Sequence, residues 1–339
     1  MRKFLLIYHK EDNDGVVSAA LLYDWILNKL NTSKENINLL PADYNILSKF
    51  AEAYSSEEQL KELHKEYDTI VMTDISFNNI KFMQKLYDEF NNDFIWFDHH
   101  APIINVSYKH KFGDCPGIRN TNKSAILCVY EYLYDTFNLD YNDKKIPELL
   151  RILSAWDSWT YEREGYDFDY VKNINKGVTD KYGLDIYKVL HDIDKFKSLE
   201  QTELINGLNK HGKLLNEYED SKMEDIIKNS GDCSWQIWDF DKENSAHPII
   251  HKACAIFHQG ATNSTMFKCL RKKGIRHGLV FKHQPDGNWV LSMYNIDDND
   301  NFHCGDFLRA KYNGGGHKGA AGCTLDEKTF IKILKNKRI

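Results

Sequence analysis

Four short stretches carry the groups that could do chemistry. In FLLIYHKEDNDG, His9, Asp12 and Asp14 follow an apolar and aromatic run at residues 4–8. Asp74 follows TIVMT at 69–73, and Asp98, His99 and His100 follow FIWF at 94–97. Asp157 sits in the apolar stretch LSAWDSW, where a carboxylate without a partner would be costly to bury. Carboxylates gathered in one crevice repel each other and raise each other's pKa values. A divalent cation removes that conflict, and an oxygen-rich set with a few imidazoles suits Mn²⁺ or Mg²⁺ rather than a thiolate-seeking ion. His9, Asp12, Asp14, Asp74, His99 and Asp157 supply enough ligands for two such ions. Two ions about 3.5–4 Å apart can share one bridging carboxylate and clamp the oxygens of a phosphate displacement.

Each residue alone has an ordinary explanation. Asp12 or Asp14 reads as a helix N-cap, because an apolar helical pattern starts at Val16. DNDG resembles half of a calcium loop, but the distal glutamate of such a loop is missing. Asp74 alone is a strand-end turn residue, His99 alone a structural histidine, and Asp157 a turn cap beside Trp156 and Trp159. Position argues against these separate explanations. Three strand-like runs each deliver an acid or a histidine at the C-terminal end, and in a parallel sheet those ends line one edge. Open α/β folds bind ligands there.

The elements that must position these groups follow from the apolar pattern. Runs at 4–8, 37–42, 69–73 and 94–97 have strand length, with helical patterns between them. Such alternation predicts βαβ units in a mainly parallel sheet, and continuously apolar strands predict a sheet covered on both faces. Residues 125–137 and 147–155 read as helices, and 184–227 as a long, charged helical stretch. Beyond it, 253–257, 277–283 and 288–294 are strand-like and separated by Gly, Pro and Asn turns. The expected organisation is a catalytic domain at 1–183, a helical connector at 184–230 and a smaller α/β domain at 231–339.

Composition narrows the class further. At 42% hydrophobic and 28% charged residues the chain has the balance of an ordinary soluble globular protein. No run approaches the ~20 apolar residues of a membrane helix, and the N-terminus lacks the pattern of a secretory signal. Seven cysteines without a C-x-x-C pair argue against a thiolate zinc site and a disulfide framework, so a reduced, cytoplasmic protein is expected. A net charge of −6 disfavours a long polyanionic partner. The stretch 266–283 nevertheless holds Lys268, Arg271, Lys272, Lys273, Arg276 and Lys282 without an acid. It reads first as a solvated helix end and turn, and secondly as a phosphate-holding run.

The ordered motifs also carry a family resemblance. FDHHA (97–101), with the upstream Asp-x-Asp-Gly and a lone Asp after an apolar strand, resembles the DHH phosphoesterase superfamily. NKSAILCVYEYLY (122–134) is similar to the Ser-Ala helix that follows this motif in relatives. YNGGGHKGAAG (312–322) resembles the glycine-rich signature of the superfamily's associated C-terminal domain. The resemblance runs from His9 to Gly322 and is thinnest between about 161 and 230.

The resemblance implies a two-domain α/β protein with its active site in the interdomain cleft and two divalent metal ions, Mn²⁺ ahead of Mg²⁺. His9, Asp12 and Asp74 would hold one ion; Asp14, Asp74, His99 and Asp157 the other, with Asp74 bridging. His100 would face the scissile phosphate, and Asp98 would support the imidazoles, as metal-bound histidines require. Gly314, Gly315, Gly316 and His317 would grip a phosphate or terminal nucleotide, since glycines allow close backbone approach and successive N–H groups bind anions. Two departures stand out. His9 lies three residues before Asp12, where relatives keep two or four. Tyr294 stands where many relatives have an arginine, which resembles the nanoRNase branch more than the cyclic-dinucleotide branch.

The function implied is a metal-dependent phosphodiesterase, oligoribonuclease-like, that hydrolyses short RNA or DNA to mononucleotides. Its partners would be short single strands or small nucleotides. The alternatives are an enzyme acting on 3′-phosphoadenosine 5′-phosphate or on linear or cyclic dinucleotides, or a non-catalytic nucleotide-binding regulator.

Overall fold

The computed structural model describes residues 2–136, 146–239, 248–260, 262, 264–296, 302–316 and 318–339. The chain forms two compact units, Met1–Asn216 and Glu217–Ile339.

The first unit is built on four strands, β1 (Phe4–His9), β2 (Ile37–Ala42), β3 (Thr69–Thr73) and β4 (Phe94–Phe97). Their order is β2-β1-β3-β4 and every neighbouring pair is parallel. Alternate residues of a strand face opposite sides, and here both sides are covered. Phe4, Leu6 and Tyr8 enter one core; Leu5 and Ile7 enter the other. The second of these cores is closed by α2 (Tyr44–Ala53), α3 (Glu57–Glu66), α4 (Ile80–Phe90) and α5 (Ala101–Ser107). The first core is closed by α1 (Asn13–Lys29), α6 (Ala125–Thr136), α7 (Glu148–Asp157) and α8 (Phe168–Tyr182). It also takes in Ile186 and Val189 of α9 (Ile186–His191), Ile193 and Phe196 of α10 (Ile193–Lys197), and Ile205 and Leu208 of α11 (Thr202–Ser230).

Strand register decides what the sheet edge presents. Tyr8 pairs with Thr73, and Thr73 with Phe97. The next residue of each strand therefore falls in one row: His9, Asp74 and Asp98. A one-residue slip would turn each strand's side chains to the opposite face.

The second unit is a six-stranded mixed sheet. It contains β5 (Asp232–Asp239), β6 (Ile249–Phe257), β7 (His277–His283), β8 (Trp289–Asn295), β9 (Gly315–Gly316) and β10 (Ala320–Leu325), in the order β5-β6-β7-β8-β10-β9. Only β6 and β7 pair in parallel. Helices α12 (Cys304–Tyr312) and α13 (Glu327–Asn336) pack Phe307, Leu308, Phe330 and Ile333 onto Trp235, Phe281, Leu291 and Met293. This is the smaller α/β domain expected after the helical region. The basic stretch 266–283 is only partly a charged surface: Met266, Phe267 and Leu270 are buried, and its last seven residues form the core strand β7. Among the described residues, no helix is long and apolar enough to cross a membrane.

Candidate active site

The row at the end of the parallel sheet is completed by helix starts and helix ends. Asp12 is the N-cap of α1: one carboxylate oxygen accepts from the Gly15 N–H at 2.9 Å, and the other lies 2.6 Å from His9 Nδ1. The ordinary N-cap explanation and the site role therefore belong to the same residue. A side chain at position 15 would collide with the carbonyl of His9, so glycine is what lets α1 start against the end of β1. Asp74 leaves β3 in a left-handed conformation, φ +58°, with its N–H donating to the carbonyl of Phe97. A non-glycine residue held there is strained, and such strain gathers at functional sites. Its carboxylate is 1% exposed, with Oδ2 3.4 Å from His9 Nδ1 and Oδ1 3.2 Å from His99 Nε2.

Asp14, in the first turn of α1, is met by another helix. Its two oxygens accept from the backbone N–H groups of Ala125 at 2.7 Å and Ile126 at 2.8 Å, the opening residues of α6. A helix N-terminus favours negative charge, so the Ser-Ala helix helps hold this carboxylate. Asp157 ends α7 and places Oδ2 3.0 Å from His99 Nε2, which is 3.7 Å from Asp14 Oδ2. Asp98 is fully buried, and its Oδ1 accepts from the backbone N–H groups of His99 and His100 and faces His100 Nδ1 at 2.7 Å. This fixes the His100 ring with Nδ1 toward Asp98 and leaves Nε2 for another partner.

The electrostatics are those of a site short of positive charge. Burial works against a charged His9, yet the carboxylates of Asp12 and Asp74 hold its pKa up at about 10. Burial is likewise overcome at His99, where Asp157, Asp74 and Asp14 push it up to about 12. Burial and then the Asp157 charge raise Asp14 to about 6. Burial and then Asp14 push Asp74 well above the usual carboxylate range. Asp12 goes down instead: burial opposes its charge, but His9 outweighs it. Without a cation, these acids share the protons of two imidazoles.

The donor set fits divalent metal. Donor atoms of His9, Asp12 and Asp74 lie within 4.8 Å of one another, as do those of Asp14, Asp74, His99 and Asp157. A further set joins Asp74, His99 and His100. Asp74 belongs to all three. Among the described residues, neither of its oxygens has a hydrogen-bond partner of acceptable geometry, and nor has His9 Nδ1. Orphaned buried acceptors are rare and call for an explanation such as an ion. The unusual spacing of His9 from Asp12 does not keep the imidazole out of this cluster.

Residues 3–155 match the DHH family, N-terminal domain. The first unit carries a DHH domain. Its match ends two residues before Asp157 and spans the other five candidate ligands. No curated protein matches the chain in sequence. Among solved structures, the pGpG-specific phosphodiesterase PggH of Vibrio cholerae is 14% identical and has a TM-score of 0.50, the match covering 99% of this chain and 97% of that one. RecJ of Thermus thermophilus, solved with Mn²⁺, is 15% identical with a TM-score of 0.50, covering 99% of this chain and 51% of RecJ. At these identities the likeness is one of fold.

The DHH domain also holds groups that the motif pattern does not reveal. Tyr44, first residue of α2 after β2, comes near the cluster: burial and then the charges of Asp98, Asp74 and Asp12 raise its phenol pKa. The strand-end rule applied to β2 would have found it, since Asp43 and Tyr44 directly follow Ala42. Asn13 is buried and ties the start of α1 to α8 through Asn175 Oδ1 at 2.7 Å and Thr179 Oγ1 at 2.8 Å. A lone asparagine inside DND gave no sign of this.

The second unit holds the remaining candidates. Gly315 and Gly316 form the edge strand β9, pairing with Gly322 and Ala321 of β10. Tyr294 lies in β8 opposite Ala320, mostly buried, with its hydroxyl 2.9 Å from that of Thr262. His317 lies outside the described residues.

Proposed function

We propose that this DHH-superfamily phosphoesterase hydrolyses the phosphodiester bonds of short single-stranded RNA or DNA, releasing mononucleotides, with two divalent ions of which Mn²⁺ is the first choice. The observation that carries the reading is Asp74, buried, strained and unsatisfied, standing in all three candidate ligand sets at once. One ion is assigned to His9, Asp12 and Asp74, the other to Asp14, Asp74, His99 and Asp157. When bound, such ions activate water and neutralise charge on the phosphoryl oxygens.

The chain's own groups orient and exchange protons. Asp98 holds the His100 ring through Nδ1, so that Nε2 is assigned to the substrate, donating to a non-bridging phosphoryl oxygen or to the leaving oxygen. The start of α6 keeps Asp14 charged and in place, and the left-handed turn at Asp74 keeps its carboxylate between the two histidines. In the second unit Gly314, Gly315, Gly316 and Tyr294 are assigned to the phosphate or terminal nucleotide of the substrate. A net charge of −6 supports a short substrate, because each bound phosphate of a long strand calls for a cation. PggH, by its name, acts on a linear dinucleotide, the same length class.

The test is hydrolysis with added Mn²⁺ on di- to pentaribonucleotides, a long single strand, 3′-phosphoadenosine 5′-phosphate and a cyclic dinucleotide, with Asp74→Asn as the blank. Mononucleotide release from the short RNAs, lost in the blank, is the expected result. Tight binding without turnover by the wild type would overturn it in favour of a nucleotide-binding regulator.

A further inference from the structure

Beside Asp157 the chain carries an aromatic group that the metal cluster does not use. Trp159 is 64% exposed, which is unusual for so large a ring. It also has φ +55°, a left-handed conformation that strains a bulky side chain and that glycine or asparagine would adopt more readily. Three neighbours hold it. Its ring stacks on Trp156, with centroids 5.9 Å apart and planes 27° apart, and on Phe168 at 6.2 Å and 27°. Tyr161 leans against it at 6.1 Å.

The loop that presents the ring is well tied. Trp159 N–H donates to the carbonyl of Trp156, Thr160 N–H to that of Ala155, and Tyr166 N–H to that of Tyr161. Arg163 fastens the far side of the loop to the carbonyl of Asn122 at 3.0 Å, just ahead of the helix that grips Asp14. A tied loop can hold a strained residue whose ring is mostly uncovered. Packing alone gives no reason to place a tryptophan there, since most of the ring remains in water.

We infer that the Trp156–Trp159–Phe168 stack is a platform on which one nucleobase of the substrate lies. The inference rests on the phosphodiesterase reading and deepens it, by requiring that the substrate carry a base. Two residues of chain reach no further than about 7 Å, so Trp159 is anchored within one nucleotide's length of Asp157. Asp157 in turn lies 3.0 Å from His99. Every base has a π-face, so such a platform tolerates any sequence while rejecting phosphates that bear no base.

The experiment compares wild type, Trp159→Ala, Trp159→Leu and Trp159→Phe in two measurements. The first is steady-state hydrolysis of a diribonucleotide and of its abasic counterpart. The second, independent of turnover, is calorimetric binding of adenosine 5′-monophosphate in the presence of Mn²⁺. Melting temperatures report whether each variant folds, and Trp159→Phe keeps a ring if Trp159→Ala does not fold. Losing a stacked base costs about tenfold or more in binding. KM for the diribonucleotide is therefore expected to rise about tenfold in Trp159→Ala and Trp159→Leu and to stay near wild type in Trp159→Phe. The abasic substrate is expected not to distinguish the four, and monophosphate affinity to fall by the same factor as KM rises. Equal monophosphate affinity in wild type and Trp159→Ala, or none in either, overturns the platform. A wild type that binds the monophosphate through Trp159 but cleaves none of the substrates keeps the platform and removes the phosphodiesterase reading.

Discussion

The acidic cluster of the DHH domain and the glycine motif of the second unit both begin where a regular element ends, yet they are built in opposite ways. In the cluster the side chains carry the charge and the candidate donor atoms. Each is fixed by backbone around it: Asp12 by the N–H of Gly15, Asp14 by the start of α6, Asp98 by the N–H groups of His99 and His100. In the glycine motif there are no side chains, the backbone pairs with β10 and α12, and the three residues are not equivalent. A Cβ on Gly314 would meet the Gly322 carbonyl at 2.5 Å, and Gly316 has φ +139°, whereas a Cβ on Gly315 would meet nothing within 4 Å. Two of these glycines are required by packing or backbone conformation; the middle one is dispensable to the fold. Substitution in the first region should cost activity, and in the second it should separate stability from binding.

The sharpest test of the contrast is Asp74→Asn. Removing a charge common to every candidate ligand set should lower kcat by more than about 100-fold, beyond the 10–100-fold of an outer-shell partner. The variant should melt no lower than the metal-free wild type, because burial and the Asp14 charge already disfavour the charged form of Asp74, and a neutral amide of the same shape replaces it. A melting temperature well below the wild type's would make Asp74 a structural residue instead.

Metal addition should act next most strongly, and through pH. In the metal-free protein Asp14 is raised to about 6 and His9 to about 10. A group whose folded pKa is raised contributes stability below its unfolded pKa and loses it as pH climbs through the folded value. For Asp14 that window runs from the usual carboxylate range to about 6, and for His9 from the usual imidazole range to about 10. The metal-free protein should therefore lose melting temperature between pH 5 and pH 9. Mn²⁺ displaces the protons concerned, so its stabilisation should grow over the same range, reaching about 2.7 kcal/mol at a hundredfold excess over Kd. Calorimetric melting with and without Mn²⁺ checks this, and a shift that shrinks with rising pH would place the ions elsewhere.

Asp98→Asn should leave both ligand sets intact and lower kcat about 10–100-fold, the range for a partner that orients imidazoles. Kinetics at saturating Mn²⁺ distinguish this from lost metal affinity. In the second unit Gly314→Ala should destabilise by about 1–3 kcal/mol, the usual cost of overpacking. Gly315→Ala should change stability by less than about 0.5 kcal/mol. If Gly315 approaches a phosphate, that mild variant should still raise KM. Unfolding curves and KM measured on the same pair of variants would collapse the comparison if both glycines behaved alike.

The DHH domain was legible because several independent signals agree there. Continuous apolar strands, helical runs between them and acids at equivalent strand ends all specify one parallel sheet and one functional edge. The second unit was less legible. Residues 320–322 read as the tail of a glycine motif, yet they open β10 (Ala320–Leu325), because pairing with β8 and β9 supplies what strand propensity does not. Strand β5, Asp232–Asp239, has no clean alternation and draws its place from antiparallel pairing with β6.

The sequence by itself determined the inventory: which acids and imidazoles follow which strands, and where the apolar helical pattern takes over behind them. Those facts are local, set by residue type and by spacing of two to four residues. Tertiary structure alone decided that Tyr8, Thr73 and Phe97 share a register, that the start of α6 closes on Asp14, and that Tyr44 comes near the cluster. These contacts join residues tens to more than a hundred positions apart. Such meetings depend on how cores pack and strands align, which no local pattern encodes.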